Sequence, residues 1–448
     1  MHICIIGNGI SGVTAARYIR KLSDHDITLI SGESDYFFSR TALMYVYMGH
    51  MRFQDTQPYE NWFWEKNRIQ LKKAWVEKID VNQKSLAFSD GSNLSYDKLV
   101  IASGSAPNKF GWPGQDLPGV QGLYSKQDLD ALEACSSELK NVVIVGGGLI
   151  GIEFAEMLHS RHIPTTILVR EKSYWDNVLP KGESELVTRH IREHGFDLRL
   201  GTELKEIVAG SDGRASKVIT KDGDEIDCQL VGLTAGVHPN IDFMKDSGIE
   251  TQRGILVNLF QETNVPDVYA AGDCAEFREP VAGRRPIEQV WYTGKMQGQV
   301  VAKNICGDKV SYDPGHWFNS AKFLDIEYQT YGMVMPKLQE GEASFYWEHE
   351  DGKMCMHFVY NASTEKFIGI NTFGIRLRHE LFDRFLRDER NLEYVIKNLR
   401  AANFDPEFYD KHEKSILDAY NSHSGKSIQL ENASGLKAAL ALLGFGKK

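Results

Sequence analysis

The chain carries one glycine pattern twice, as Gly7, Gly9 and Gly12 near its start and as Gly146, Gly148 and Gly151 further on. Each set follows a short apolar run, 3–6 and 142–145, and precedes a stretch of helical periodicity. That order specifies strand, tight turn and helix, which leaves few folds open. The first glycine makes the bend, the second lets backbone approach a pyrophosphate, and the third lets helix pack closely on strand. The helix start, here Ile10 with Ser11 and Leu149 with Ile150, offers unpaired N–H groups and the positive end of a dipole to phosphate. One such fingerprint is a weak signal, because glycines also cluster in ordinary loops. Two in the same context are a strong one.

Two dinucleotide sites in one chain are most economically a bound flavin dinucleotide and a visiting nicotinamide dinucleotide, with electrons passing between them. The length of 448 residues allows about three domains, and 42% hydrophobic residues supply several cores. A net charge of −10 with no long Lys/Arg run excludes a general nucleic-acid binder. No apolar segment approaches the roughly 18 residues that span a bilayer, and a strand beginning beside Met1 leaves no room for a signal peptide, so a cytoplasmic protein is expected. The six cysteines form no Cys-x-x-Cys pair, which disfavours a metal or iron-sulfur centre; isolated reduced thiols are expected.

Along the chain a helix is expected over 11–22 and a strand over 27–30. Glu33 then falls where an acid accepts hydrogen bonds from a ribose diol, with Asp35 as its competitor. Strand-like runs follow at 74–79, 85–88 and 98–102, ending at Ala102, Ser103, Gly104, Ser105, Ala106 and Pro107, which read as a domain exit. A helix over 126–139 leads to the second fingerprint, helix 149–159 and strand 165–169, after which β-rich residues are expected up to 233. At Ala270, Ala271, Gly272 and Asp273 a strand ends in small residues, and the acid is expected at a helix start facing a ligand. From about 312 alternating runs suit an antiparallel sheet.

Taken together, these residues resemble the pyridine nucleotide-disulfide reductase superfamily over about 1–400, and within it the ferredoxin and rubredoxin reductase branch that includes apoptosis-inducing factor. The resemblance rests on the two fingerprints with Glu33 and Glu153, the 102–107 stretch, Ala235 to Asn240, and Gly272 with Asp273. It also rests on Glu288, Gln289 and Trp291 leading to Gln297 and Gly298, and on the aromatic start at Trp317 and Phe318. It implies an α/β fold of two Rossmann-like dinucleotide-binding domains, for FAD and NAD(P), plus an α+β C-terminal domain. The implied boundaries are 1–113 with 241–310 for FAD, 114–240 for NAD(P), 311–421 for the C-terminal domain, and 422–448 for a linker and amphipathic tail.

By the same resemblance FAD is held by Gly7, Gly9, Ile10, Ser11, Gly12, Glu33, Arg40, Val76, Ala102, Ser103, Gly104, Asp273, Glu288, Gln289 and Trp291. NADH or NADPH is held by Gly146, Gly148, Leu149, Ile150, Gly151, Arg170, Glu171 and Gly236. Glu153 is the charged group implied near the flavin, and Tyr45 stands where the branch usually has a lysine facing it. The stretch Phe38, Ser39, Arg40, Thr41, Ala42 lacks the reactive cysteine of the thiol-relay members. Arg170 suits a 2′-phosphate and Glu171 a 2′-hydroxyl, so the residues leave the coenzyme open.

The implied activity is an FAD-dependent NAD(P)H oxidoreductase serving a small carrier protein of ferredoxin or rubredoxin type. A quinone or oxygen reductase and a redox-sensing flavoprotein are the alternatives. Open partners are an electron-acceptor protein and a second copy of the chain. In the tail, Leu436, Ala439, Leu440 and Leu443 share a helical face near Lys437, Lys447 and Lys448; a short helix docked on its own or a twin subunit, or a disordered end, is favoured over a clip onto a membrane surface or a partner protein. Arg376, Arg378, Arg384, Arg387 and Arg390 read either as a docking face for an acidic carrier or as a solvated helix face.

Overall fold

The computed structural model describes residues 1–405, 410–432 and 435–444. It is an α/β protein that divides into two compact units. One holds Met1–Gly146, Phe154–Thr165 and Leu204–Pro314; the other holds Gly147–Glu153, Thr166–Glu203 and Gly315–Lys448.

In the first unit the strand His2–Ile6 lies at the centre of a five-stranded parallel sheet, flanked by Asp26–Ser31 and then Ile69–Lys73 on one side. Lys98–Ile101 and then Val268–Ala270 lie on the other. Parallel strands covered on both faces need apolar residues on both, and Ile3, Cys4 and Ile5 are fully buried. Ile3 and Ile5 pack with Val13, Ala16 and Ile19 of the helix Ile10–Leu22, while Cys4 and Ile6 face Leu99, Ile101 and Phe277. Each such aliphatic side chain contributes roughly 1.5–3 kcal/mol by leaving water. The helix Trp291–Ile305 packs closely on Ile10–Leu22, since a Cβ at Gly298 would lie 2.4 Å from the Ser11 carbonyl oxygen. Val142–Val145, Leu230–Leu233 and Val120–Gln121 form a second run of parallel strands.

The second unit is built on a five-stranded antiparallel sheet in the order Phe318–Phe323, Ile326–Gly332, Phe367–Phe373, Cys355–Asn361, Glu342–Glu348. Its period-two alternation sorts the residues. Phe345, Phe358, Ile370 and Tyr331 form a row that joins Phe382, Phe385, Val395 and Tyr420 of the C-terminal helices. On the opposite face, Tyr346, His357 and Asn371 meet the helix Lys181–Glu193: a Cβ at Gly182 would lie 2.7 Å from the Tyr346 ring, and Asn371 Nδ2 donates to Glu183 Oε2 at 2.8 Å.

Three expectations need correction. Residues 181–193 are helical rather than β-rich, because Leu186, Val187 and Ile191 form a helical stripe; the same buried face also carries Glu183, Ser184, Thr188 and His190, which blurs it in the sequence. The helix beginning at Lys126 ends at Cys135 and continues as one 3-10 turn, Ser136–Glu138. Asp273 stands in the turn between Val268–Ala270 and Ala275–Phe277, not at a helix start. The nearest following helix begins at Trp291.

The tail helix Gly435–Leu442 buries Ala438 and Ala439 in the core of the second unit, with Leu442 and Leu443 against it, while Leu440 is exposed. Lys447 and Lys448 and the side chains of Leu436 and Lys437 lie outside the described residues. No helix among the described residues is long and apolar enough to cross a membrane. Four of the five arginines are matched locally by acids: Arg376 pairs with Glu327, Arg387 with Asp383, and Arg384 and Arg390 with Asp388, while Arg378 donates to the Asn403 carbonyl at 2.9 Å.

Candidate functional site

The first fingerprint sits between the buried strand His2–Ile6 and the helix Ile10–Leu22. Gly7 has φ +103°, and a Cβ on it would lie 2.1 Å from the Ala102 carbonyl oxygen. One on Gly12 would lie 2.0 Å from the Gly7 carbonyl oxygen. Both glycines are demanded by the protein's own backbone. Gly9 is different, because a Cβ there meets nothing within 4 Å. It is the N-cap of the helix, and no side chain caps the N–H groups that follow. Open space above an uncapped helix start is the donor set that a pyrophosphate requires. The cradle therefore fits a dinucleotide.

Around this cradle the fold gathers residues from distant parts of the unit. Gly272, with φ +83°, approaches so closely that its Cβ would lie 2.3 Å from Ser11 Oγ, and its N–H donates to Gln297 Oε1 at 2.6 Å. Next to it, Asp273 accepts from Ser105 Oγ at 3.0 Å, and Ser105 Oγ accepts from Gln289 Nε2 at 2.8 Å. Burial raises the Asp273 carboxyl above its ordinary range, against the opposing pull of Ser105 and Arg40. Ser103 Oγ donates to the Asn240 carbonyl at 2.7 Å, and Gly104 has φ +73°.

Glu33 and Arg40 form a bidentate pair, Nη1 to Oε1 at 2.8 Å and Nη2 to Oε2 at 2.6 Å. The Lys126 N–H, at the start of Lys126–Cys135, also donates to Glu33 Oε1 at 2.9 Å. Three hydrogen bonds on a carboxylate with about four acceptor positions leave one for a ribose hydroxyl. Arg40 also donates to the Tyr124 carbonyl at 2.6 Å and lies 4.5 Å from the centre of the Tyr124 ring. Burial works against the Arg40 charge, and Glu33 more than offsets it. Val76 opens the strand Val76–Asp80, and the ring of the preceding Trp75 fills the space a side chain on Gly32 would take, forming an exposed aromatic wall beside Glu33.

Not every expected residue joins this group through a described contact. Glu288 is buried in an ion pair with Arg284 at 2.5 Å and accepts from Tyr312 Oη at 2.7 Å. Trp291 is partly exposed at the start of its helix, with its ring against Tyr292. Tyr45 lies in the short helix Leu43–Tyr47 with its ring stacked on His50.

The second fingerprint repeats the tight packing. A Cβ on Gly146, at φ +131°, would lie 2.6 Å from the Thr234 carbonyl oxygen, and one on Gly147 would lie 2.8 Å from a Val169 methyl. Tyr174 Oη donates to the Gly148 carbonyl at 2.9 Å, and burial raises the Tyr174 phenol, with Glu153 adding to the shift. Leu149, Ile150, Gly151 and Glu153 lie in the helix Leu149–Ser160. Arg170 Nε donates to Glu171 Oε1 at 2.7 Å, so the two candidate selectors of the 2′-substituent neutralise each other. Gly236, at φ +85°, lies beside Asn108.

Sequence reasoning missed Ser105 as the bridge between Asp273 and Gln289. It also missed Tyr124, Lys126 and Trp75 around Glu33 and Arg40. Ser125 and Asp128 form a capping box that marks the start of the 126 helix, which was a signal for Lys126 but not for its partner.

Residues 1–298 match the model of the pyridine nucleotide-disulphide oxidoreductase family. The assimilatory nitrate reductase electron transfer subunit of Bacillus subtilis (strain 168) is 27% identical over 405 residues, covering 89% of this chain but only 51% of that protein. The chain thus spans about half the length of that relative. The ferredoxin–NAD(P)(+) reductase of a Sphingomonas species is 31% identical over 341 residues, 74% of this chain and 81% of that protein. The crystal structure of a ferredoxin reductase from Rhodopseudomonas palustris shares the fold with a TM-score of 0.76 at 22% identity, covering 98% of each chain. With its two fingerprints and the matching family model, the chain belongs to the pyridine nucleotide-disulphide oxidoreductases, whose members use FAD and NAD(P)H.

Proposed function

We propose that this chain passes electrons from NAD(P)H through FAD to a small electron-carrier protein of ferredoxin or rubredoxin type. The observation that carries the reading is the junction at Gly9, where open space lies over an uncapped helix start while Gly7, Ser11, Ala102 and Gly272 are packed to backbone contact around it. An FAD bound there would supply the chemistry that links a two-electron hydride donor to a one-electron acceptor. The protein binds and orients.

In this reading the N–H groups from Ile10 to Gly12 take the pyrophosphate, Glu33 takes a ribose hydroxyl on its remaining acceptor position, and Asp273 takes the ribityl chain. Arg40 holds Glu33 in place. Val76, Ala102, Ser103, Gly104, Gln289 and Trp291 line the flavin, and Glu288 fixes the turn that carries Gln289. The second fingerprint, with Gly236, takes the nicotinamide coenzyme, and Arg170 with Glu171 takes its adenosine ribose. Glu153 is the charged residue assigned to the nicotinamide side, and Tyr45, whose phenol brings no positive charge, is assigned to the flavin side. The domains assigned are 1–113 with 241–310 for FAD and 114–240 for NAD(P), followed by a C-terminal domain, 311–421, and a linker and tail, 422–448.

The carrier is supported by the Sphingomonas relative named for ferredoxin and by a Clostridium acetobutylicum relative, 31% identical, named for rubredoxin. The test is to reduce the purified protein anaerobically with NADH and mix it rapidly with ferredoxin, rubredoxin, a soluble quinone or oxygen. Reoxidation by one carrier protein far faster than by quinone or oxygen is expected. Faster reoxidation by quinone or oxygen would reject the carrier assignment.

A further inference from the structure

One polar cluster lies outside both dinucleotide fingerprints. On the helix Lys181–Glu193 and in the turn after it, His190 and His194 are four residues apart and share one face, with ring centres 4.4 Å apart. Asp325 comes to them from the two-residue turn between Phe318–Phe323 and Ile326–Gly332. Leu324 makes that turn with φ +58°, a left-handed conformation that an L side chain adopts at a cost of about 1 kcal/mol or more. The Nε2 atoms of both imidazoles converge on one oxygen, Asp325 Oδ1, at 2.5 Å from His190 and 3.5 Å from His194.

The far side of the His194 ring meets an oxygen. His194 Nδ1 is 2.9 Å from the His190 carbonyl oxygen, which fixes the proton on Nδ1 and leaves the Nε2 lone pair facing Asp325. His190 is 1% exposed, and its Nδ1 is buried with no hydrogen-bond partner; Glu193 Oε2 lies 3.9 Å from it. A rotation of Glu193 would complete that bond. Two imidazoles whose inner nitrogens converge with a carboxylate oxygen, one of them oriented by a carbonyl on its outer nitrogen, have the layout of a metal centre and part of its supporting shell.

We propose that His190, His194 and Asp325 form a binding site for one divalent cation of the zinc class. Two neutral imidazoles and one carboxylate favour zinc, cobalt, nickel or copper over magnesium or calcium. Tetrahedral bonds of 2.0–2.1 Å set ligand atoms about 3.3 Å apart. Asp325 Oδ1 therefore moves back from His190 by somewhat under 1 Å, which is open to a side chain 64% exposed in a hairpin turn. The fourth position faces solvent and is filled by water. The cation ties the helix Lys181–Glu193 to the hairpin, and the proposal does not depend on the electron-transfer reading.

The test uses the full-length flavoprotein, stripped with a chelator and titrated with zinc alone in competition with a chromophoric chelator. Cobalt is then added to a separate sample to read coordination from its visible spectrum. One equivalent is expected to bind, with tetrahedral cobalt absorption and a zinc-dependent rise in melting temperature. His194→Ala and Asp325→Asn, both at partly exposed positions, each remove a ligand. Each is expected to weaken binding by at least the roughly 10- to 100-fold that loss of a supporting partner alone costs. A failure of the wild-type protein to bind saturably would overturn the site. So would binding that survives in the His194→Ala/Asp325→Asn double variant, because it would belong to other histidines.

Discussion

At the scale of single residues, the glycines of the first fingerprint serve two masters, and the structure separates them. Gly7 is fixed by the fold, through its positive φ and the Ala102 carbonyl oxygen 2.1 Å from its Cβ position. Gly9 is fixed by nothing in the protein. Gly7→Ala is therefore expected to lower the melting temperature of the flavin-free protein, whereas Gly9→Val lowers it only by the roughly 1 kcal/mol of a poorer N-cap and abolishes flavin retention. Loss of even one phosphate hydrogen bond costs about 1.5–3 kcal/mol, at least roughly tenfold in affinity. Thermal melts beside flavin-to-protein absorbance ratios check both halves.

Asp273 shows the same division in its charge. Its carboxyl has a higher pKa in the fold than the 3.8 of an unperturbed aspartate, so the folded state favours the protonated form. That contribution is fully present below pH 3.8 and is lost as pH rises through the folded value, leaving the ionised group a burden at neutral pH. Asp273→Asn should raise the melting temperature of the flavin-free protein at pH 7, with the difference closing as pH approaches 3.8, while flavin affinity falls. An unchanged or lower melting temperature at pH 7 would contradict the assigned cost of burial.

At the scale of elements, the contact between Ile10–Leu22 and Trp291–Ile305 is set by glycine. Inside an ordinary helix, replacing glycine by alanine stabilises by about 1 kcal/mol. At Gly298 the sign reverses, because the added carbon would lie 2.4 Å from the Ser11 carbonyl oxygen and force the helices apart at about 1–3 kcal/mol. Gly298→Ala is expected to destabilise the flavin-free protein in chemical denaturation. It should also loosen flavin, since Ser11 lies in the cradle.

The same scale shows what the sequence made legible. Buried parallel strands and their fingerprint helices were readable because apolar run, glycine spacing and helical period agree locally. Lys181–Glu193 was not, because its buried face carries Glu183 and His190, whose partners Asn371 and Asp325 lie far along the chain. The placement of Asp273 in a turn was hidden for a related reason. Small residues before an acid suit a helix start and a strand-to-strand turn equally well, and only pairing of Ala275–Phe277 with Ile255–Val257 decides between them. In the site, Glu33 and Arg40 were each legible, but their ion pair and the Lys126 N–H on Glu33 arise from tertiary packing.

At the scale of the whole molecule, two dinucleotide fingerprints, a family match over residues 1–298 and the absence of a cysteine between Phe38 and Ala42 describe a flavoprotein without a thiol relay at that position. The six cysteines are unpaired in the structure, and burial raises their thiols, Cys4 and Cys228 to about 12, which leaves them poor nucleophiles at neutral pH. The local pairing of the C-terminal arginines leaves that surface a weak attractor for an acidic carrier. The burial of Ala438 and Ala439 likewise ties the tail helix to its own unit.

In the proposed reaction, reduced nicotinamide reduces an FAD held at the first fingerprint. Its most direct test is an anaerobic titration of the purified yellow protein with NADH, and separately NADPH, followed by its visible absorbance. Complete bleaching of the flavin band with about one equivalent of reduced nicotinamide per FAD is expected, with recovery of the band on adding an acceptor. A protein that carries no flavin after supplementation with FAD, or one whose flavin band persists under excess NADH and NADPH, would contradict it.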